Sequence, residues 1–421
     1  MHDEYIVDLH IHSKFSRACS RDLVLAKIVE TAALKGIHLV GTGDFTHPEW
    51  FQMMRQELQQ NDRGFYEVKG VKTFRPVEFV PTTEISCIYS KNGAVRRLHL
   101  LVVAPSLEIV SELNRRLEKI GNIHSDGRPI LGLDAKELLK ILLDVSADCL
   151  MIPAHAWTPW FSIFGSKSGF DSIEECFEEL APYVTAIETG LSSDPPMNWR
   201  LSKLDNITLV SNSDAHSLDN LGREANVFRY GEGMTYERLL AILRGQKKDD
   251  FLYTIEFYPE EGKYHYDGHA ACSVRLTPEE TERLGGRCPK CQKLITVGVL
   301  NRVNKLADRA VNQKILNRVP FKSIVPLREI LAEVLNVGKH TKSVEAVYQS
   351  LVPRLGSEFD VLIHVPVADI EGATDKEVAL AIDKMRRGAI EVAPGYDGVF
   401  GTVHIFKEGE RHFAQQDTLF G

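Results

Sequence analysis

No apolar run in this 421-residue chain approaches the roughly 18 residues that cross a bilayer, and the longest, near residues 98–105, is interrupted at once by His99. No membrane partner is expected. A basic, apolar leader is also missing, because Asp3, Glu4 and Asp8 stand where it would lie, so a cytoplasmic location is expected. Positive charge is short overall: 50 Lys and Arg against 58 Asp and Glu leave a net charge of −8, which argues against a simple cationic coat for nucleic acid. Cysteine is sparse and odd in number, seven in all, scattered at 19, 87, 149 and 176 and clustered at 272, 288 and 291. In a reducing compartment such a cluster points to metal and not to disulfides. Internal repeats and low-complexity tracts are absent, and glycine and proline are ordinary, so neither a fibrous nor a disordered chain fits.

The charge average conceals an asymmetry. Between residues 286 and 329 ten Lys and Arg face only Asp308 and Glu329, a local excess of +8. That stretch is either a phosphate-binding surface or a solvated helical face.

Short apolar runs at 5–9, 37–41, 78–85, 98–104, 149–153, 184–188 and 207–211 predict seven strands. Helical patterns intervene: Leu23, Ile28, Thr31 and Leu34 stop at Gly36, and Leu138, Leu139, Ile141 and Leu142 follow Asp134. Strand alternating with helix predicts a parallel sheet or barrel. A hairpin centred on Lys91-Asn92-Gly93 makes it not uniformly parallel. The rhythm is expected to end near 246–250, which divides the chain into residues 1–245, a cysteine-bearing module over 246–300, and a C-terminal region over 301–421, helical and then mixed strand and helix.

The strand ends are rich in metal-ligand side chains. The first carries Asp8-Leu9-His10-Ile11-His12, where alternation puts both imidazoles on one face. The second ends in Gly43-Asp44-Phe45-Thr46-His47, the third contains Glu84, the fourth starts with His99, the fifth ends at His155, and the seventh finishes Asp214-Ala215-His216. In barrel folds the carboxyl ends of strands form the active-site rim, so these residues converge. Carboxylate and imidazole together suit zinc, manganese or iron, with Glu84 fitted to bridge. His2 and His38 lack this placement and read as structural or exposed, while His124 is a weak candidate for substrate contact.

A motif that begins with His-x-His and ends with Asp-x-His resembles the PHP (polymerase and histidinol phosphatase) superfamily over residues 1 to about 245. The resemblance implies a distorted seven-stranded α/β barrel that hydrolyses phosphoesters with two or three divalent metals, zinc, manganese or magnesium. It places His10, His12, Glu84 and Asp214 around one metal and Glu84, His99 and His155 around a second. Asp44, His47 and His216 would complete a third. Many relatives carry a further histidine where this chain has Phe15-Ser16-Arg17-Ala18-Cys19, a departure that bears on the third site. Catalysis is expected to rest on Glu84 and Asp214.

Four further segments, Pro153-Ala-His-Ala-Trp-Thr-Pro-Trp-Phe161, Phe164-Gly-Ser-Lys-Ser-Gly-Phe170, Glu188-Thr-Gly-Leu-Ser-Ser-Asp194 and Arg287-Cys-Pro-Lys-Cys291, are similar to the endonuclease Q family over nearly the whole chain. That similarity implies a DNA repair nuclease cutting 5′ to uracil, hypoxanthine or xanthine and at abasic sites, in duplex or single-stranded DNA, with a replication clamp as a further candidate partner.

Cys288-Pro-Lys-Cys291 has zinc-knuckle spacing, and His269-Ala-Ala-Cys272 lies upstream, giving a Cys3His site with His265 as the alternative fourth ligand. The finger would organise the basic stretch after it to track a DNA backbone. The loop after His155 offers Trp157, Trp160, Phe161, Phe164 and Phe170 among Gly165, Ser166, Lys167, Ser168 and Gly169. Aromatics this dense are core, or a wall or wedge for a flipped base whose carbonyl is read by Gly and Ser amides. Glu188 and Asp194 are candidates to support the metals or move a proton, against simple loop capping. Two rivals stand beside the nuclease reading. A small-molecule phosphoesterase of histidinol-phosphatase kind leaves the C-terminal half without a purpose, and a catalytically dead binding module is disfavoured by the full set of ligand types.

Overall fold

The computed structural model describes residues 3–311, 313–407 and 410, so His2 and the final polar tail lie outside it. Each of the seven apolar runs forms a strand. Glu4–Asp8 runs parallel to Leu39–Gly41, which runs parallel to Glu78–Val80. Pro81 has no N–H to donate to a ladder. The third run therefore splits there, and Thr82–Lys91 continues in a second sheet. It turns at Asn92 and Gly93, both at positive φ, into antiparallel Ala94–Val103, as the hairpin signal predicts. His99 consequently sits mid-strand and not at a strand start. Leu150–Pro153 pairs antiparallel on the far side of Ala94–Val103, and Ala186–Glu188 pairs parallel with Thr208–Val210.

Alternation sorts the side chains of these strands into two layers. Val7, Leu39, Val80, Leu101, Ile152, Ala186 and Val210, one from each run, join a single buried apolar cluster. Their neighbours Ile6, Val40, Phe79, Leu100, Met151 and Ile187 belong to a second cluster shared with the helices. Among those helices, Leu25–Lys35 stops at Gly36, whose φ of 89° lets its N–H reach the carbonyls of Ala32 and Ala33, and Ala135–Val145 is capped by Asp134.

The sheet does not end near residue 246. Ala225–Arg229 pairs antiparallel with Glu4–Asp8, Phe251–Glu256 adds to it, and Phe321–Ser323 adds to that. Beyond lie Leu327–Leu335, Lys342–Leu355, Val367–Ala373 and Lys376–Arg386, then a hairpin of Glu391–Ala393 with Thr402–His404. The mixed α/β body thus carries a helical C-terminal region. Among the described residues no helix is long and apolar enough to cross a membrane.

The added strands bury two acids. Glu224 and Glu256 are fully enclosed, and Glu224 Oε2 and Glu256 Oε1 have no hydrogen-bond partner among the described residues. Burial pushes the Glu256 carboxyl up to about 8, and burial with the neighbouring Glu256 charge raises Glu224 well above the carboxylate range. A folded pKa above the unfolded one means stability is fully present below the unfolded value and is lost as pH rises through the folded one. The melting temperature is accordingly expected to fall between about pH 5 and about pH 8, and Glu256→Gln to flatten that slope. Calorimetry across the window checks it; an equal slope in the variant contradicts the assignment.

Candidate metal centre

Two groups of donor atoms form on the strands and just beyond them, each with all atoms within 4.8 Å of one another: His10, His12, Glu84 and Asp214, and Glu84, His99 and His155. Glu84 belongs to both. Its Oε1 lies 2.7 Å from His99 Nδ1, 3.2 Å from His155 Nε2 and 3.7 Å from His10 Nε2, and its Oε2 lies 3.5 Å from His12 Nε2. Asp214 Oδ1 is 3.1 Å from His12 Nε2 and 3.7 Å from His10 Nε2. Ligands on a tetrahedral ion with bonds of about 2.1 Å stand roughly 3.4 Å apart, so these spacings suit a cation between them. His10 Nε2 is buried without a hydrogen-bond partner among the described residues, which leaves it free to meet a metal.

The opposite ring nitrogens are fixed. His10 Nδ1 donates to Glu188 Oε2 at 3.0 Å, and Glu188 also accepts from the His155 amide and the Asn212 side chain. His12 Nδ1 donates to Asp44 Oδ1 at 3.0 Å, while Asp44 Oδ2 accepts from the amide and hydroxyl of Ser13, each at 2.7 Å. Both carboxylates orient an imidazole and select its tautomer. The backbone is forced to do this: Asp44, His155 and Asp214 sit at φ of 50°, 28° and 46°, a sparsely populated region for non-glycine residues. Gly190, at φ 64°, lies so close behind His155 that a Cβ would stand 2.6 Å from the histidine Cβ.

Charge balances within the cluster. Burial works against ionising Glu84, yet His99, Arg128 and His10 hold it well below the carboxylate range. Burial would likewise discharge His10, but Glu188 and Glu84 raise it well above the imidazole range. Cations entering such a site displace those imidazole protons. Glu188→Gln should weaken metal binding by about 10–100-fold, the size of effect typical of such supporting carboxylates. Metal titration of the stripped protein reads it, and unchanged affinity contradicts the role.

The other sequence-predicted residues fall elsewhere. Asp44, His47 and His216 do not draw together as a third donor group among the described residues. His47 stacks on Phe15 with ring centres 4.3 Å apart, and His216 Nδ1 donates to the Asp214 carbonyl at 2.8 Å. Asp194 caps Pro195–Trp199 by accepting from the Met197 amide, which is the capping alternative. His38 is half-buried, accepting from the Ile6 amide, and His124 is exposed and paired with Glu118. In the loop after His155, Trp157, Phe164 and Phe170 are each 1% exposed, so this part is core. Gly169 is buried, Lys167 is exposed, and Ser168 Oγ bridges the Phe161 amide and the Arg97 carbonyl. Trp160 and Phe161 are partly exposed, with Phe161 lying 4.7 Å from the His99 ring, while Ser166 donates to the Val297 carbonyl.

His269, Cys272, Cys288 and Cys291 do converge, with Cys291 Sγ 3.6 Å from His269 Nδ1. His265 is buried apart from them, stacked on Tyr266. The module's own apolar cluster is only Val274, Leu276, Cys288 and Ile295, too little to hold a fold alone, so a structural metal suits it. Cys291→Ser should remove one metal equivalent per chain and unfold this module locally. Elemental analysis measures it, and unchanged metal content contradicts it.

Four arginines of the basic stretch are not the free surface its charge suggests, while its lysines stay exposed. Arg302 is buried, donating to the carbonyls of Phe164 and Phe170 and to Asp171; Arg309 and Arg318 share Asp205; Arg328 pairs with Glu345. Every one of these acids lies outside residues 286–329, where a count of the segment does not see them.

Comparison with known proteins gives the lineage. The family profile of the MJ0043 C-terminal domain matches residues 326–389. MJ0043 of Methanocaldococcus jannaschii is 30% identical over 268 residues, 63% of this chain, and the chain spans about a third of that protein's length (33%). The crystal structure of PfuEndoQ, a lesion-specific endonuclease from Pyrococcus furiosus, superposes with a TM-score of 0.84 at 33% identity over 96% of both chains. The chain belongs to the endonuclease Q family. A second endonuclease Q structure, bound to a 27-mer duplex with an abasic lesion at the active site, matches with the same TM-score and identity over 96% of this chain and 97% of that one.

Within this endonuclease Q framework one site residue carries no sequence signal. Arg128 Nη1 lies 3.0 Å from Glu84 Oε2, on a loop that Gly127 allows against Asp44, where any Cβ would collide with the carboxylate. The loop is polar and aperiodic, and no motif marks it.

Proposed function

We propose that this chain is a metal-dependent DNA endonuclease that hydrolyses the phosphodiester 5′ to a deaminated base, uracil, hypoxanthine or xanthine, or at an abasic site. The observation that carries the reading is the paired donor group sharing Glu84, in a chain that matches the lesion-specific PfuEndoQ along 96% of its length. The three sheets that feed one apolar cluster read as a distorted seven-stranded barrel over residues 1–245, followed by a zinc module over 246–300 and an accessory region over 301–421 stitched back by Phe251–Glu256 and Phe321–Ser323. His10, His12 and Asp214 would hold one cation and His99 and His155 another, with Glu84 in reach of both. Zinc, manganese or magnesium bound there would supply Lewis-acid charge to the scissile phosphate. Glu188 and Asp44 keep His10 and His12 in the ligating tautomer, and Arg128 offers guanidinium donors to a non-bridging phosphate oxygen. DNA is the partner, a replication clamp is a further one, and the setting is cytoplasmic.

Labelled duplexes carrying one uracil, hypoxanthine, xanthine or abasic site, and an undamaged control, test this. A single nick 5′ to the lesion and none in the control is the expected product. Turnover of a small phosphomonoester with no nicking of any duplex would return the protein to the histidinol-phosphatase kind.

A further inference from the structure

Trp157, Phe164 and Phe170 are sealed in the core and cannot enter a base stack. One aromatic is held out into solvent on a tip bonded to residues 260–263, whose neighbour Tyr264 meets Trp160 of the same loop. Phe400 is 66% exposed and its neighbour Val399 41%. They follow a two-residue turn, Asp397-Gly398, at φ of 43° and 89°, closed by reciprocal backbone bonds between Tyr396 and Val399 of 3.0 and 2.8 Å.

This tip is clamped. Gly395, Gly398 and Gly401 donate to the carbonyls of Glu260, Lys263 and Glu261 at 2.7, 2.9 and 3.0 Å, and Asp397 accepts from the Ala270 amide beside the cysteine module at 2.6 Å. At Gly401 any Cβ would collide with the Glu260 carbonyl, so glycine is needed for the approach. Lys263, itself exposed, carries its Nζ 4.4 Å over the Phe400 ring.

The same segment leads to the metal centre. Tyr264 meets Trp160 edge-on at 5.6 Å, the Trp160 carbonyl accepts from Thr158 Oγ1 at 3.0 Å, and that oxygen lies 3.2 Å from His155 Nδ1. Phe400 also lines, with Leu191, Gly262 and Arg223, a cavity of about 350 Å3. Arg223 donates to the Ser213 carbonyl, next to Asp214. A rigid, solvent-held phenylalanine with a lysine on its face, tied to a metal-ligand loop, suits an apolar wedge entering between base steps with a cation for the adjoining phosphate.

We propose that the Val399-Phe400 tip is the wedge that occupies the stack when the damaged nucleotide leaves it, and that Lys263 takes the flanking phosphate. This rests on the endonuclease reading. A wedge offsets the cost of unstacking, which a duplex imposes and a single strand does not.

The test compares wild type, Phe400→Leu and Phe400→Ala on uracil in a duplex and in the same strand alone. Phe400→Ala should cut the duplex at least tenfold more slowly and the single strand within twofold of wild type, with Phe400→Leu between and all three melting alike. In chelator, where nothing is cut, wild type should brighten a 2-aminopurine placed beside the uracil and Phe400→Ala should not. An unchanged duplex rate, equal losses on both substrates, or equal fluorescence from both proteins overturns the wedge. Wild type that brightens the probe yet cuts neither substrate under any divalent metal overturns the nuclease reading instead.

Discussion

Glu84→Gln is expected to lower lesion nicking by about 10³-fold or more, the largest loss from any single substitution in the chain. Glu84 is the one residue common to both donor groups, with its oxygens 2.7–3.7 Å from four imidazoles. An amide keeps the shape but presents an NH2 to one donor group and removes the charge that two cations would share. A loss of that size is about 4 kcal/mol of transition-state stabilisation. The fold should survive, because His10 and His12 keep Glu188 and Asp44 as partners and the strand pairing of Thr82–Lys91 uses only backbone. Single-turnover nicking beside a thermal melt checks both parts. A rate within tenfold of wild type would remove the bridging role.

Phe170→Ala is expected to destabilise the protein by about 3–5 kcal/mol, as large-to-small changes at enclosed aromatics do. Phe170 is 1% exposed, Arg96 stacks over its ring at 4.0 Å, and its carbonyl receives Arg302. Its residual activity should fall equally on uracil and abasic DNA, since the ring touches the core and not the base. Chemical denaturation gives the first quantity and paired rates the second. A selective loss at uracil with normal stability would restore the loop to the base pocket.

The clustered donor residues were legible because the strands repeat a simple pattern: His10 and His12 alternate onto one face, His155 and Asp214 follow strands, and Glu84 and His99 lie within a paired hairpin. Whether a carboxylate holds a metal or orients a ligand is decided by a few ångströms of side-chain direction, which spacing does not encode. Asp44 illustrates this, since its φ of 50° turns both oxygens onto His12 and Ser13. Glu188 was legible as a supporting group for the opposite reason, standing at a strand end one loop from the ligands. The aromatic loop was ambiguous because a core and a stacking platform use the same residues, and only burial separates Trp157 from Trp160. Long-range pairing hid the rest: Arg302, Arg309 and Arg318 look like a free basic surface until Asp171 and Asp205 are folded against them. Phe251–Glu256 has good strand composition, but its place beside Ala225–Arg229 depends on tertiary pairing.

The central claim, that cations bridged by Glu84 drive cleavage beside a lesion, is tested most directly by stripping the protein with a chelator, adding back manganese, magnesium or zinc, and following a uracil duplex. The account predicts no nicking by the stripped protein, and a single product cut 5′ to the uracil once metal returns. Undiminished nicking after complete metal removal, or none with any metal at any lesion, would contradict it.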